Sequence, residues 1–576
     1  MKNLFKSADS AQAIWGALGL VAAFFWLQAK VSGVFPTVFQ DEWIYSMHSR
    51  LLPLSDSPIA NYLYSWVYSG TNACGLDFYS CAKQANVIFM LIFAIGIYLI
   101  ARRYLGFYAS AAIAFLAAIS PISTYASFFM PESMYFAFSV FAIWAVLELR
   151  DRNSLIWAVG AGALLGATAL VKPHSLFLLP VIGLFIVFVV KPEGSSLLKR
   201  LVTGAAYLAG FLVFKFGLGF LLAGSAGLVW FGTSYEATLN NVLNPGANGI
   251  GSSELFGTPA QALAAGQQLL AADAVEAPKG IAELFLAQLG GHYLGLFALA
   301  GVTLPALIAL ISSRAEQFTK LRELAWMLAL SLVIFVPAFA LFAALAINGG
   351  DPLQDRLVMR YYEFLIPIAF IAGIAGFKAV QQLAAKFKLA VLLTTAVGLF
   401  VVGIVGVGQY LPLIWDGAML QGLATQRWLI ATYLIVSAAI LIANLGRKEQ
   451  MLKTLWAFVV PTVVISSSFV ATSALRDNAL APVYFDLAGQ YARDNLTPVE
   501  QNDLVVVGQV RNELEAAKFW IDNPNVDQFV SPANSTVELG ALPVDTKWVI
   551  AMNGVVISGN VSIVQGGDNW NLYKVN

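Results

Sequence analysis

Two adjacent carboxylates, Asp41 and Glu42, stand in the stretch Phe39-Gln-Asp-Glu-Trp-Ile-Tyr-Ser-Met-His48, just beyond the first long apolar run of the chain. Acids held against a bilayer are costly unless they are hydrated, paired or in use. The use that this placement suggests for Asp41 is that of a general base. Tyr45 and His48 follow Asp41 at i+4 and i+7, on one face of a helix. A second acid, Glu132, opens a later apolar run directly behind Pro131, a place where the helix dipole alone would also favour it. Lys172 in Ala169-Leu-Val-Lys-Pro-His174 lies between two further runs, where it is either a snorkelling side chain or a cation for an anionic substrate. Arg356 and Arg360 in Asp355-Arg-Leu-Val-Met-Arg-Tyr-Tyr-Glu363 are one helical turn apart, the spacing of a phosphate clamp. Tyr361 and Tyr362 beside them suit an interfacial belt.

Metal chemistry is weakly indicated. The three histidines, His48, His174 and His292, have no recognised ligand spacing, and no Asp-x-Asp pair occurs. No cofactor is expected to be required, with a divalent metal as the minor alternative. Gly160-Ala-Gly-Ala-Leu-Leu-Gly166 lies inside an apolar run, where small residues point to close helix packing and not to a phosphate loop.

These groups must be positioned by membrane helices. Of 576 residues, 59% are hydrophobic and 11% charged, with a formal net charge of zero, against about 25% charged in soluble domains. No basic patch is left for a nucleic acid. Thirteen runs are long and apolar enough to be read as spans: 13–35, 85–101, 107–127, 133–149, 154–171, 174–190, 201–223, 285–311, 324–347, 361–377, 389–410, 428–445 and 454–472. With the N-terminus cytoplasmic, inner connections collect most Lys and Arg, including Arg102-Arg103, Lys199-Arg200 and Arg447-Lys448. That bias places Asp41, and the residues after 472, on the outer side.

Cys74 and Cys81, the only cysteines, lie in the first outer segment and are expected to form a disulfide. The outer segments 35–84 and 223–284 are long, and the second is read as a lid. The fold expected is therefore an all-α polytopic membrane domain over 1–472, followed by a small extracytoplasmic α/β domain over 473–576. In that second part Asp503-Leu-Val-Val-Val-Gly508 and Lys547-Trp-Val-Ile-Ala551 read as strands and 512–520 as a helix.

Asp-Glu after the first span, Pro-Glu before the fourth, a lysine between the fifth and sixth and an Arg-Tyr pair entering a late span together resemble the GT-C superfamily of membrane glycosyltransferases. The layout is most similar to its protein O-mannosyltransferase and lipid A aminoarabinose transferase branch. The resemblance implies sugar transfer, with inversion, from a polyprenyl-phosphate donor to a glycan, lipid or protein acceptor at the periplasmic face of a bacterial inner membrane. It implies Asp41 and Glu132 as the catalytic acids. Glu42, Tyr45, His48, Lys172, His174, Arg356, Arg360 and Tyr361 are the expected substrate-binding residues. Two other readings remain open: an O-antigen ligase or polymerase moving a whole lipid-linked glycan, and a transporter, although transporters carry their charges near the midplane and these cluster at one face.

Overall fold

A computed structural model describes residues 10–152, 154–190, 196–233, 280–348, 356–408, 410, 412–446 and 449–576. Most of the expected lid, 234–279, lies outside the described residues.

Among the described residues eight helices are long and apolar enough to cross a membrane, two more pairs qualify as bent spans, and three apolar helices are shorter. Together they take in each of the thirteen apolar runs. The short ones, Leu155–Val171, Pro173–Val189 and Leu365–Gln381, are about 25 Å long at 1.5 Å per residue, less than the roughly 30 Å of a hydrocarbon core. The chain is thus a multi-pass membrane protein, with eight to ten helices among the described residues that have the length and composition to cross.

The site is framed by membrane-spanning and juxtamembrane helices. Helix α1 (Ser10–Val31) is the first span, and α2 (Phe39–Arg50) carries Asp41. Helix α3 (Phe78–Arg102) carries Cys81 in its first turn, where the expected disulfide to Cys74 is formed. Helix α4 (Phe107–Ile119) stops at Ser120 because Pro121 cannot continue it, and the chain bends by 48° into a 3-10 segment ending at Ser127. The third run therefore breaks within its length, at Pro121. Helix α5 (Glu132–Leu147) opens on Glu132, as expected. Helix α6 (Leu155–Val171) packs along α7 (Leu197–Ala223), and the small residues explain how closely. A Cβ at Gly162 would lie 1.9 Å from the Tyr207 carbonyl oxygen, and one at Gly210 would lie 2.1 Å from that of Val159. Further along are α8 (Leu365–Gln381) and α9 (Val460–Ala479).

The last span does not stop at 472: α9 runs on to Ala479, and α10 (Tyr484–Asn495) begins the α/β unit. Its five-stranded sheet has the order β2-β1-β4-β7-β6. Strand β1 (Leu504–Gly508) is parallel to β2 (Asp527–Val530) and to β4 (Trp548–Met552), with Val505 opposite Val549. Strand β7 (Trp570–Val575) runs antiparallel to β4 and to the edge strand β6 (Val561–Gly567). Both strands read from the sequence are buried throughout, which is why a continuous apolar run marked them. Strands β3 (Thr536–Glu538) and β5 (Val556–Ser558) form a separate parallel pair. Helix α11 (Arg511–Ile521) packs both on α10 and on α2.

Candidate active site

Asp41 and Glu42 point to different tasks. Glu42 is fully buried. One of its carboxylate oxygens accepts from the backbone N–H of Thr37 and of Val38, both at 2.8 Å; the other accepts from Phe129 N–H at 2.9 Å and lies 3.0 Å from the Tyr79 hydroxyl. Burial holds its carboxyl above the ordinary range, with those four hydrogen bonds pulling the other way. Glu42 therefore caps the start of α2 and ties it to the segment leading into Glu132. The structure thus gives it a scaffold role, with both carboxylate oxygens held by the protein's own groups.

Asp41 keeps 38% of its side chain exposed and accepts from Arg360 Nη2 at 3.1 Å. Arg360 Nε in turn lies 3.6 Å from Glu132 Oε1, and Glu132 is paired with Lys172. The result is an alternating row, Asp41, Arg360, Glu132, Lys172, in which Asp41 is the most exposed member. Lys172 is held in this row by chain punctuation: Pro173 forces it out of the helical region, to φ −149° and ψ 116°, and ends α6 there. Its ammonium sits 4.7 Å from the Tyr361 ring centroid, and that ring stacks on His174 at 4.0 Å.

Arg356 and Arg360 do not form a clamp. Only Met359–Tyr361 is helical here, so the i, i+4 spacing does not align them. Arg356 makes a bidentate pair with Asp416, at 2.7 and 2.9 Å. Tyr45 packs its ring against Tyr64 at 5.6 Å. His48 is buried toward the other end of α2, seven residues or about 10 Å along the helix from Asp41, and burial lowers its pKa to about 4. Neither belongs to the charged row. His292 lies against the Tyr362 hydroxyl in a buried contact. Among the described residues no group of three or more His, Cys, Asp or Glu could hold a metal ion.

The residues missed from the sequence are those that fix the Arg360 loop. Asp416 is fully buried, and besides holding Arg356 it accepts Arg360 N–H on its carbonyl at 2.7 Å. Glu363, also fully buried, accepts from the Tyr125 hydroxyl at 3.0 Å and from Met419 N–H at 2.8 Å. The Tyr135 hydroxyl donates to the Tyr361 carbonyl at 2.9 Å. A signal was available for Asp416, the one acid between Glu363 and Glu449. On the other side of Met419 an apolar groove of about 390 Å³ runs between α4, α8 and α9, past Ser120, Pro367, Phe370 and Val464, to Lys453.

Residues 65–219 match a family model. It is described as dolichyl-phosphate-mannose-protein mannosyltransferase, and the matched stretch contains Glu132, Lys172 and His174. The chain resembles GT-C membrane glycosyltransferases over that part. No curated protein matches it in sequence. Among solved structures it is similar to ArnT from Cupriavidus metallidurans bound to undecaprenyl phosphate, at 14% identity and TM-score 0.45, covering 97% of each chain. It is also similar to the oligosaccharyltransferase AglB from Archaeoglobus fulgidus in complex with an inhibitory peptide and a dolichol-phosphate, at 15% identity and TM-score 0.44, covering 93% of this chain and 69% of that one.

Proposed function

We propose that this protein is an integral-membrane glycosyltransferase that takes a sugar from a polyprenyl-phosphate donor and passes it, with inversion, to a hydroxyl of a glycan, lipid or protein acceptor. The observation that carries this reading is the row Asp41, Arg360, Glu132, Lys172. Transfer needs a base for the acceptor proton and cations for the departing phosphate. Asp41, partly exposed, takes the proton as the acceptor oxygen bonds to the anomeric carbon and the bond from that carbon to the phosphate oxygen breaks. The donor phosphate diester carries one negative charge and the released polyprenyl phosphate up to two.

Arg360 links the two ends of the step. Protonation of Asp41 removes one of its counter-charges as a second charge develops on the phosphate, so its guanidinium is freed when it is needed. Lys172 shares the phosphate, and Glu132 holds both cations in register. The matched family supports a prenyl-phosphate sugar donor, and the apolar groove ending beside Met419 is suited to a long hydrocarbon chain. With cations supplied by the chain itself, transfer is expected to survive EDTA. The setting we propose is a bacterial inner membrane, with the α/β domain periplasmic.

The test is extraction of lipid-linked sugars from cells lacking the protein. A monosaccharide carrier should accumulate, and should disappear on return of the wild type but not of Asp41→Asn. Accumulation of a complete lipid-linked glycan would indicate a ligase or polymerase, and no change in any carrier would overturn the reading.

A further inference from the structure

Helix α2 has twelve residues, too few to be stable alone in water, and it carries the acid on which the charged row depends. The C-terminal domain grips it at three levels. At its start Phe39 meets Phe485 edge to face at 5.3 Å. In its middle Lys518 Nζ lies 5.7 Å from the Trp43 ring centroid. At its end Arg50 makes a parallel bidentate pair with Asp522, both hydrogen bonds at 2.7 Å, while its guanidinium carbon sits 3.5 Å from the Phe78 ring centroid. The Arg50 side chain is only 3% exposed, and a bidentate charge-assisted pair shielded in this way is both strong and directional.

Two backbone features show that these contacts are imposed and not incidental. Phe39 has φ 29° and Asp522 has φ 61°. The second is the left-handed residue that closes α11, a position Asp tolerates and that aims its carboxylate at Arg50. The first is a bulky residue in a region that such side chains rarely adopt, at the entry to α2 and two residues from Asp41. Strain of that kind persists only where surrounding contacts over-determine it, and here Phe485 is one of them. A second line of force arrives indirectly: Phe519 and Trp520 pack on Tyr79, at 5.3 and 6.2 Å, and the Tyr79 hydroxyl lies against Glu42.

We infer that the C-terminal α/β domain is a positioning clamp for the Asp41 helix, with Asp522, Lys518 and Phe485 acting through α2 to hold Asp41 against Arg360. Its catalytic meaning rests on the proposed role of Asp41; its mechanical content does not. None of the three need touch substrate.

The test is amide hydrogen exchange of the full chain in nanodiscs. Asp522→Asn keeps a residue that tolerates the left-handed conformation and removes the charge, so exchange over 39–50 should rise about tenfold or more, the scale of a lost charge-assisted pair, while β1 and β4 keep their protection. Unchanged exchange there in Asp522→Asn, or a parallel loss in β1 and β4 showing that the domain itself has opened, would overturn the clamp. In cells, Asp522→Asn should accumulate the same lipid-linked sugar as Asp41→Asn, and Asp522→Glu should accumulate less. If deleting the whole protein accumulates no carrier, the proposed function fails and the exchange result still decides the clamp.

Discussion

Asp41 and Glu42 are neighbours in the chain with opposite environments, and the contrast fixes what each substitution should do. Asp41→Asn removes a half-solvated acid and should leave the thermal midpoint unchanged while lowering transfer by about 100-fold or more, the usual worth of a positioned base. Glu42→Gln places an amide against four donors in a site with no solvent access. It should cost roughly 1–3 kcal/mol, seen as a lower midpoint in detergent, with any activity loss following from that. The sequence shows two acids at a membrane face and marks the place as unusual. It cannot show which acid turns inward, because that depends on Phe129 and Tyr79, which lie far along the chain and arrive only with the fold. Lys172 was legible for a local reason: the proline after it dictates its backbone.

At the scale of elements, periodicity misleads where the element is not formed. The spacing of Arg356 and Arg360 implies a clamp only on a helix, and residues 356–358 are not helical. The two side chains diverge, Arg356 to Asp416 and Arg360 to Asp41. Arg360→Lys should be impaired and Arg360→Ala nearly inactive in donor titrations, since lysine cannot reach two partners with a planar fork. Arg356→Ala should instead lower stability by exposing the unpaired charge of buried Asp416, with the donor affinity of the surviving folded protein unchanged. Helix α2 carries its own pH response. Burial holds His48 at about 4 against an ordinary 6.5, so the opened state binds the proton first and the contribution of His48 to stability, full above about 6.5, is lost as pH falls toward 4. Burial raises Asp522, and raises Asp486 to about 6, and both carboxyls act with the opposite sign. The measurement is therefore a difference: between pH 7 and 5 the thermal midpoint of the wild type should fall relative to that of His48→Asn.

For the whole molecule, what the sequence carries best is whatever the bilayer enforces. Every apolar run became a helix, because an unpaired backbone cannot lie in hydrocarbon. The buried central strands were legible from their apolar runs, whereas the hairpin of β6 and β7 was not, since β6 is an exposed edge with little apolar alternation. The bonds from Arg50 to Asp522 and from Arg360 to Asp41 join the α/β domain, α2 and the charged row into one assembly, so the domain and the chemistry share one face of the helical body. One labelling experiment then fixes the face for both. Val544 is fully exposed on the α/β domain, Lys386 is exposed in the first turn of Ala385–Val405, the helix that follows α8, and the two native cysteines are joined to each other. In intact bacterial spheroplasts Val544→Cys should react with a membrane-impermeant maleimide, and Lys386→Cys should react only after lysis. The reverse pattern would put Asp41 and Arg360 on the cytoplasmic side, where a sugar donor need not have been carried across the membrane, and the requirement for an outward-facing lipid-linked donor would fall with it.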